Sequence, residues 1–141
     1  MAAPRIAMAP APPARQTGGM ARQDYDINLD VKYDHGTLID VAAEAAAHEP
    51  WFNQTLTQVD DAVVRLGVLD GDFHWHKHDD QDEFFLVLEG QLLIDIEGGE
   101  TVTLDPHQGY TVSRGVVHRT RAPVRTAILM VERAGVIPTG D

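Results

Sequence analysis

Hydrophobic and polar positions alternate in short runs from residue 55 to about residue 132. The runs are rich in Val, Ile, Leu, Thr and aromatic residues, and turn-forming pairs such as Asp70-Gly71 and Gly98-Gly99 separate them. Residues of the first kind favour strands, and Gly and Asp favour turns. Many short strands with regular turns are typical of a β-sandwich or barrel. The predicted strands are TLTQV, AVVRLGVL, FHWHKH, EFFLVL, QLLIDI, TVTL, YTVS, VVHRTR and RTAILMVE.

The sequence before residue 55 is different. Residues 39–49 are rich in alanine, with Asp40 as an N-cap and Pro50 as a stop, so they predict a short helix. The first residues are rich in Ala, Pro and Gly and have little to bury. We expect a flexible arm over 1–22, an N-terminal segment with the helix over 23–54, a barrel over 55–135 and a tail over 136–141.

Composition limits the class of function. The chain has 141 residues, a formal net charge of −11 and a pI near 4.8. That charge disfavours nucleic acid and anionic membrane surfaces, since both would need a basic patch. The chain has no cysteine, so disulfides, thiolate metal sites and cysteine nucleophiles are excluded. It has no apolar run long enough to span a membrane, and we expect a cytoplasmic protein.

Three of the seven histidines stand at every second position, His74, His76 and His78. In a strand such residues share one face, so we expect Phe73 and Trp75 on the opposite face. Imidazoles that converge on one face repel each other when protonated, and burial favours their neutral form. Neutral imidazole is a common metal ligand. The spacing therefore makes this segment a candidate metal site.

Two further residues join this candidate. Glu83 follows His78 just beyond the turn-like DDQD, where it would begin the next antiparallel strand. His118 lies in a later β-prone segment, VVHRTR. On these residues alone two interpretations stay open, a metal site built from histidines and a carboxylate, or a polar strand face with no ligand.

The spacing of these residues resembles a known motif. His76 and His78, followed after four residues by Glu83 and after six more by Gly90, resemble the first cupin motif. The segment SRGVVH, residues 113–118, is similar to the second motif, which usually reads PxGxxH. The resemblance covers about residues 55–132 and points to small single-domain bacterial cupins of the conserved-barrel (cupin 2) type, often labelled mannose-6-phosphate isomerase-like.

Two positions depart from the second motif. Ser113 stands where proline is usual, and Ala122 stands where asparagine is frequent. The first change could loosen the turn before His118, and the second removes a polar group near the mouth of the barrel. Neither change removes a ligand.

The resemblance implies a double-stranded β-helix, or jelly-roll barrel, that holds one divalent transition metal per chain. The implied ligands are His76, His78, Glu83 and His118. Nitrogen and oxygen ligands with open positions suit Fe, Mn, Ni, Co or Zn, and the sequence does not choose among them. A register that pairs His74 with His76 fits the motif less well, because it leaves six residues before Glu83. Asp82 is a minor rival to Glu83.

Two functions remain open at this point. One is a metal-dependent enzyme, an isomerase, cyclase, lyase or dioxygenase, in which His74 or Glu83 transfers a proton. The other is a non-catalytic module that binds a small molecule or a metal. The predicted lining is mostly apolar and Arg119 and Arg121 should face away from His118, so a small organic ligand is favoured over a sugar phosphate. We expect this lining to include Phe85, Val87, Val116, Ile128 and Met130.

The strand EFFLVLEG also predicts a partner. Phe85 and Val87 share the face of Glu83, and Phe84, Leu86 and Leu88 form the opposite face. Both faces are apolar, which is typical of a strand buried on both sides. We expect the outer face to contact a second copy of the chain in a homodimer, with the helix at 39–49 as the alternative cover.

Overall fold

The computed structural model describes residues 25–141, so the predicted arm over 1–22 lies outside the described residues. The described part contains one short helix and eight strands. In chain order these are β1 (Asp26–Asn28), α1 (Val41–Ala46), β2 (Phe52–Val59), β3 (Ala62–Asp72), β4 (Glu83–Glu89), β5 (Leu92–Ile96), β6 (Thr101–Leu104), β7 (Gly109–Val112) and β8 (His118–Arg133). The prediction of an all-β fold with one short helix is confirmed. No helix within residues 25–141 is long and apolar enough to cross a membrane.

Strand β8 organises the sheet. It is 16 residues long, and its first part pairs with β5 while its later part pairs with β3 on one side and β4 on the other. Strand β2 extends the sheet beyond β3, and β7 extends it beyond β4. A strand that passes between two groups of partners lets one sheet fold over itself, and the two halves then enclose a core.

Alternation along the strands separates two apolar cores. The inner core contains side chains from β4, β5 and β8, among them Phe85, Val87, Ile94, Ile128 and Met130. The outer core lies on the other face of the sheet, where Leu66 and Val68 of β3 pack against Phe52, Leu56 and the helix residue Ala45. Burial on both faces explains why β3 and β4 read as nearly continuous apolar runs.

Helix α1 is shorter than the predicted span of 39–49. Asp40 is the N-cap, and its carboxylate accepts a hydrogen bond of 3.0 Å from the Ala43 backbone N–H. The helix ends at Ala46, four residues before Pro50. The chain must change direction after Ala46 to enter β2 at Phe52, so the last residues predicted to be helical are not part of the helix.

The prediction that FHWHKH forms a regular strand is wrong. Strand β3 ends at Asp72. Between β3 and β4, residues 73–82, only His76 forms a β-bridge, and its partner is His118. Gly71 has a φ of +95° and the register with β8 shifts between Leu69 and Gly71, so the alternation of faces is lost at that point. Phe73, expected opposite the histidines, lies on the same side as His76, and the two ring centroids are 5.2 Å apart.

Candidate metal centre and cleft

Three separate elements bring the candidate ligands together. Glu83 is the first residue of β4, and His118 is the first residue of β8. His76 is bound to His118 through two backbone hydrogen bonds of 2.9 Å, which fix the irregular segment against the barrel. One ligand atom from each of these three residues lies within 4.8 Å of the other two. Long-range pairing thus gathers residues that are far apart in sequence.

His78 joins the group through Glu83. Its Nε2 lies 3.4 Å from Glu83 Oε1, and His118 Nε2 lies at the same distance from that oxygen. The residue is buried, and neither of its ring nitrogens has a hydrogen-bond partner. Glu83 Oε1 and His118 Nε2 are buried and unpartnered as well. Buried polar atoms without partners are costly, and a bound cation would satisfy Glu83 Oε1 and His118 Nε2 at once.

The tautomers of two histidines suit metal binding. His76 Nδ1 donates to the His74 carbonyl at 3.0 Å, and His118 Nδ1 donates to the Val116 carbonyl at 2.9 Å. A neutral ring that donates from Nδ1 carries its free lone pair on Nε2. Burial, and next the charge of His118, lower the pKa of His76 to about 4, so His76 is neutral at pH 7.

Glu83 is a buried, ionised carboxylate. Burial alone would raise its pKa, but the nearby imidazoles of His118 and His78 and the carboxyl group of Glu132 outweigh burial and hold the pKa of Glu83 well below its usual range. A buried carboxylate beside imidazole nitrogens is a donor set that fits a divalent transition metal.

Two charged residues that sequence reasoning missed lie behind Glu83. Glu132 is directly opposite Glu83 in the pairing of β4 with β8, and Arg65 on β3 places its Nε 3.6 Å from Glu132 Oε2. Arg65 also donates to Thr55 Oγ1 and Asn53 Oδ1. Burial, and next the charge of Glu83, raise the pKa of Glu132 to about 9. The two carboxyl groups therefore share one negative charge near neutral pH, and Arg65 balances it.

A sequence signal for this pair existed. Arg65 interrupts the apolar run AVVRLGVL, and Glu132 closes the apolar run AILMVE. A charge inside a strand whose neighbours are apolar points to a buried partner.

The candidate metal centre opens into a cleft. The cleft has a volume of about 500 Å³, including its mouth, and both His76 and Glu83 line it. Its walls are mainly aromatic and aliphatic, and the lining residues within 25–141 include no lysine or arginine. The other lining residues are Tyr25, Asp26, Ile27, Trp51, Phe52, Asn53, Leu69, Phe73, Phe85, Thr120, Ile128, Met130 and Pro138.

The lining matches the sequence expectation in part. Phe85, Ile128 and Met130 line the cleft as expected, whereas Val87 and Val116 pack in the inner core. Val87 is completely buried, because it lies farther along β4 from the metal centre than Phe85. Local patterns did not predict the aromatic wall, because Tyr25 directly precedes β1, Trp51 directly precedes β2 and Phe73 directly follows β3.

Comparison with known proteins assigns the family. The model of the Cupin domain family matches residues 57–132. The chain belongs to the cupin family. This cupin is 48% identical over 80 residues to the uncharacterized protein YdbB of Bacillus subtilis (strain 168), an alignment that covers 57% of this chain and 71% of YdbB. The resemblance inferred from the two motifs is confirmed.

Solved structures agree with the barrel fold. A cupin-2 domain containing protein from Shewanella frigidimarina NCIMB 400 aligns with a TM-score of 0.65 and 28% identity, over 68% of this cupin and 94% of that chain. Protein NMB1881 from Neisseria meningitidis aligns with a TM-score of 0.63 and 22% identity, over 69% and 99%. KdgF from Halomonas sp. aligns with a TM-score of 0.54 and 17% identity, over 60% and 78%. The last two show the fold alone, and the predicted jelly-roll barrel is confirmed.

Other sequence candidates of this cupin lie away from the three mutually close ligands. His74 is exposed, and its Nε2 donates to the Thr139 carbonyl at 2.7 Å. Asp82 is also exposed and accepts from the Arg114 backbone N–H at 2.9 Å. Arg119 and Arg121 face away from the centre as expected. Both bind Asp95, at 2.8 and 2.7 Å.

Proposed function

We propose that this cupin is a metal-dependent enzyme that acts on a small, mostly apolar organic molecule. The observation that carries the proposal is the group of buried, unpartnered nitrogen and oxygen atoms at one end of a cleft. The proposed ligands are His76, Glu83 and His118, joined by His78 next to Glu83. One divalent ion, Fe, Mn, Ni, Co or Zn, would be held there.

The chemistry follows from the position of the ligands. A metal with an open position acts as a Lewis acid, activates water or binds oxygen. The cleft reaches the proposed centre at His76 and Glu83, so a substrate would approach from that side. The aromatic and aliphatic side chains of the described lining, which includes no lysine or arginine, favour an uncharged, apolar substrate over a phosphate. Isomerase, cyclase, lyase and dioxygenase reactions all fit this arrangement.

Within this proposal, the group that transfers a proton is a residue that lines the cleft. Of the two candidates from the sequence, Glu83 lines the cleft whereas His74 donates to a backbone carbonyl outside it. In this proposal Glu83 is both a ligand and the group nearest to a bound substrate. His74 has a different role, which is argued below.

The test is the metal content of protein purified without an affinity tag, measured by mass spectrometry for the wild type, His76→Ala, His118→Ala and the control His35→Ala. His35 is exposed and binds the Gln58 carbonyl, outside the candidate centre. We expect about one equivalent of a transition metal in the wild type and the control, and loss of the metal in the other two variants. A wild type that stays without metal after reconstitution would refute the enzyme proposal and favour a non-catalytic module that binds an apolar ligand.

We also propose that this cupin is a homodimer. Val64, Phe84, Leu86 and Val131 form an apolar patch on the outer face of β3, β4 and β8, which is only partly buried within the described chain. Helix α1 covers the neighbouring part of this face, where Leu88 packs with the outer core. The remaining patch fits a second copy, because paired apolar faces of this kind are typical of stable dimers.

Light scattering after size-exclusion chromatography tests the dimer. Val131 and Val124 are both exposed valines of β8, but only Val131 belongs to the patch. We expect Val131→Glu to give a monomer and Val124→Glu to leave the dimer intact. A monomeric wild type, or equal behaviour of the two variants, would contradict the proposal.

A further inference from the structure

The segment Ile137–Asp141, here called the tail, is bound to residues 74–79, here called the histidine segment. Three contacts join them. His74 Nε2 donates to the Thr139 carbonyl at 2.7 Å, the Asp141 N–H donates to the Lys77 carbonyl at 2.9 Å, and the Asp141 carboxylate accepts from the Asp79 N–H at 2.5 Å. The barrel side holds the histidine segment through the bridge of His76 to His118 and the Gly115 N–H, which donates to the His78 carbonyl at 2.8 Å, and the tail adds its contacts at residues 74, 77 and 79, between and beyond these points.

Within the tail, Gly140 touches a proposed ligand. A Cβ at this position would lie 2.6 Å from His76 Cβ and 3.2 Å from the Lys77 carbonyl oxygen, and its φ is +102°. Both the close approach and the backbone conformation require glycine. The tail therefore packs its backbone directly against the side chain of His76.

His76 is held from two other directions as well. Its backbone is bridged to His118, and its Nδ1 donates to the His74 carbonyl. Gly140 closes a third side of the residue, and Nε2 is the ring nitrogen left free of the hydrogen bond to His74. The tail also reaches the cleft, because Pro138 is part of the cleft wall.

We propose that the tail positions His76 for metal binding and forms the adjoining wall of the cleft, and that His74 anchors the tail. The inference rests on the proposed metal centre. It gives His74 and the residues Thr139, Gly140 and Asp141 a function that the ligand set does not explain. His74 is then a positioning residue, because it acts on His76 through the tail and not on a substrate.

The test compares two glycines of the C-terminal segment. Gly135 has a φ of +93°, similar to Gly140, but a Cβ there would meet nothing within 4 Å. Gly140→Ala and Gly135→Ala therefore share the backbone penalty, and only the first displaces His76. The readout is titration with Co(II), followed by visible absorption, which reports both affinity and coordination. We expect Gly140→Ala to bind Co(II) about 10- to 100-fold more weakly with an altered spectrum, as for the loss of other groups that orient a ligand.

A second variant tests the anchor. His74→Phe keeps a ring stacked on Phe73, where the ring centroids are now 4.3 Å apart, and removes only the hydrogen bond to Thr139. We expect a smaller loss of Co(II) affinity than for Gly140→Ala, in the same direction. Thermal midpoints of the metal-free variants are measured in parallel, so that general unfolding is recognised as such.

The outcomes separate this inference from the proposed function. If Gly140→Ala binds Co(II) as tightly as Gly135→Ala, the positioning role is refuted while the metal centre stands. If the wild type binds no Co(II), the proposed centre fails. The histidine ring ¹H–¹⁵N NMR spectrum of the metal-free proteins then decides the role of the tail. A shift of the His76 signals in Gly140→Ala alone would support positioning by the tail, and unchanged signals would overturn it.

Discussion

Replacing Arg65 by methionine removes the cation that lies beside the two buried carboxyl groups. Arg65 is 2% exposed, and its Nε lies 3.6 Å from Glu132 Oε2. Glu83 and Glu132 share one negative charge, and methionine has a similar length but no charge and no hydrogen bonds for Thr55 and Asn53. The variant leaves an uncompensated charge inside the barrel, which we expect to destabilise the fold strongly.

The magnitude can be worked out from the distance. The negative charge shared by the two carboxyl groups lies no closer to Arg65 than the 3.6 Å between Arg65 Nε and Glu132 Oε2, so the attraction is at most about 4 to 5 kcal/mol at an effective dielectric constant near 20. Loss of one partner from a buried ion pair costs about 3–5 kcal/mol in measured cases. A small domain has a total stability of about 5–15 kcal/mol. We therefore expect Arg65→Met to lose about 3–5 kcal/mol, a large share of the total.

Urea unfolding of the metal-free protein at pH 7, followed by circular dichroism, measures this loss. The matched control is the double variant Arg65→Met, Glu83→Leu, which removes the cation together with the carboxyl group that carries the negative charge. Because apolar replacement of a whole buried pair is often neutral, we expect the double variant to regain much of the lost stability. A loss below about 1 kcal/mol in Arg65→Met would refute the reasoning, and so would a double variant no more stable than the single one.

Three further predictions concern the stability of the fold. Folded Glu132 keeps its proton up to about pH 9, whereas the unfolded side chain releases it near pH 4.5. The free energy of unfolding should therefore fall as pH rises through this range, and Glu132→Gln should reduce the accompanying fall in thermal midpoint. Gly90→Ala places a Cβ 2.4 Å from Thr126 Oγ1 at a φ of +89° and should lower the free energy of unfolding by about 2–5 kcal/mol. Gly98→Ala has a similar backbone conformation but open space around the Cβ, and should lower it by about 1–2 kcal/mol. Leu66→Ala, at a fully buried position, should cost about 2–5 kcal/mol in urea unfolding, and Leu38→Ala, 90% exposed, almost nothing. A rising pH profile for the wild type, or equal losses within either matched pair, would contradict these expectations.

Part of this protein could be predicted because the relevant signals are local. Alternation in EFFLVLEG placed Glu83, Phe85 and Val87 on one buried face, and the structure has all three buried. Asp40 before an alanine-rich run predicted the N-cap of α1, although the end of the helix was set by the turn into β2. The spacing of His76, His78 and Glu83 within one motif also depends on a short stretch of chain, so the motif could be recognised from the sequence.

Other features depend on which strands become neighbours. Glu132 meets Glu83 only because β4 and β8 pair in one register, and Arg65 reaches Glu132 only because β3 flanks β8 on the other side. Tyr25 and Trp51 form the cleft wall with Phe73, with ring centroids 4.9–5.7 Å apart, although they come from separate parts of the chain. No local pattern encodes such a register.

The sequence by itself determined the strand content, the family and the residues proposed to bind a metal, because side-chain alternation and motif spacing are properties of neighbouring residues. The tertiary structure decided that Phe73 faces the cleft, that His74 contacts the tail, and that a second carboxyl group and an arginine lie behind Glu83. These arrangements arise from strand register, a bulge and long-range packing. They depend on free-energy differences summed over the whole chain, and no short segment contains them.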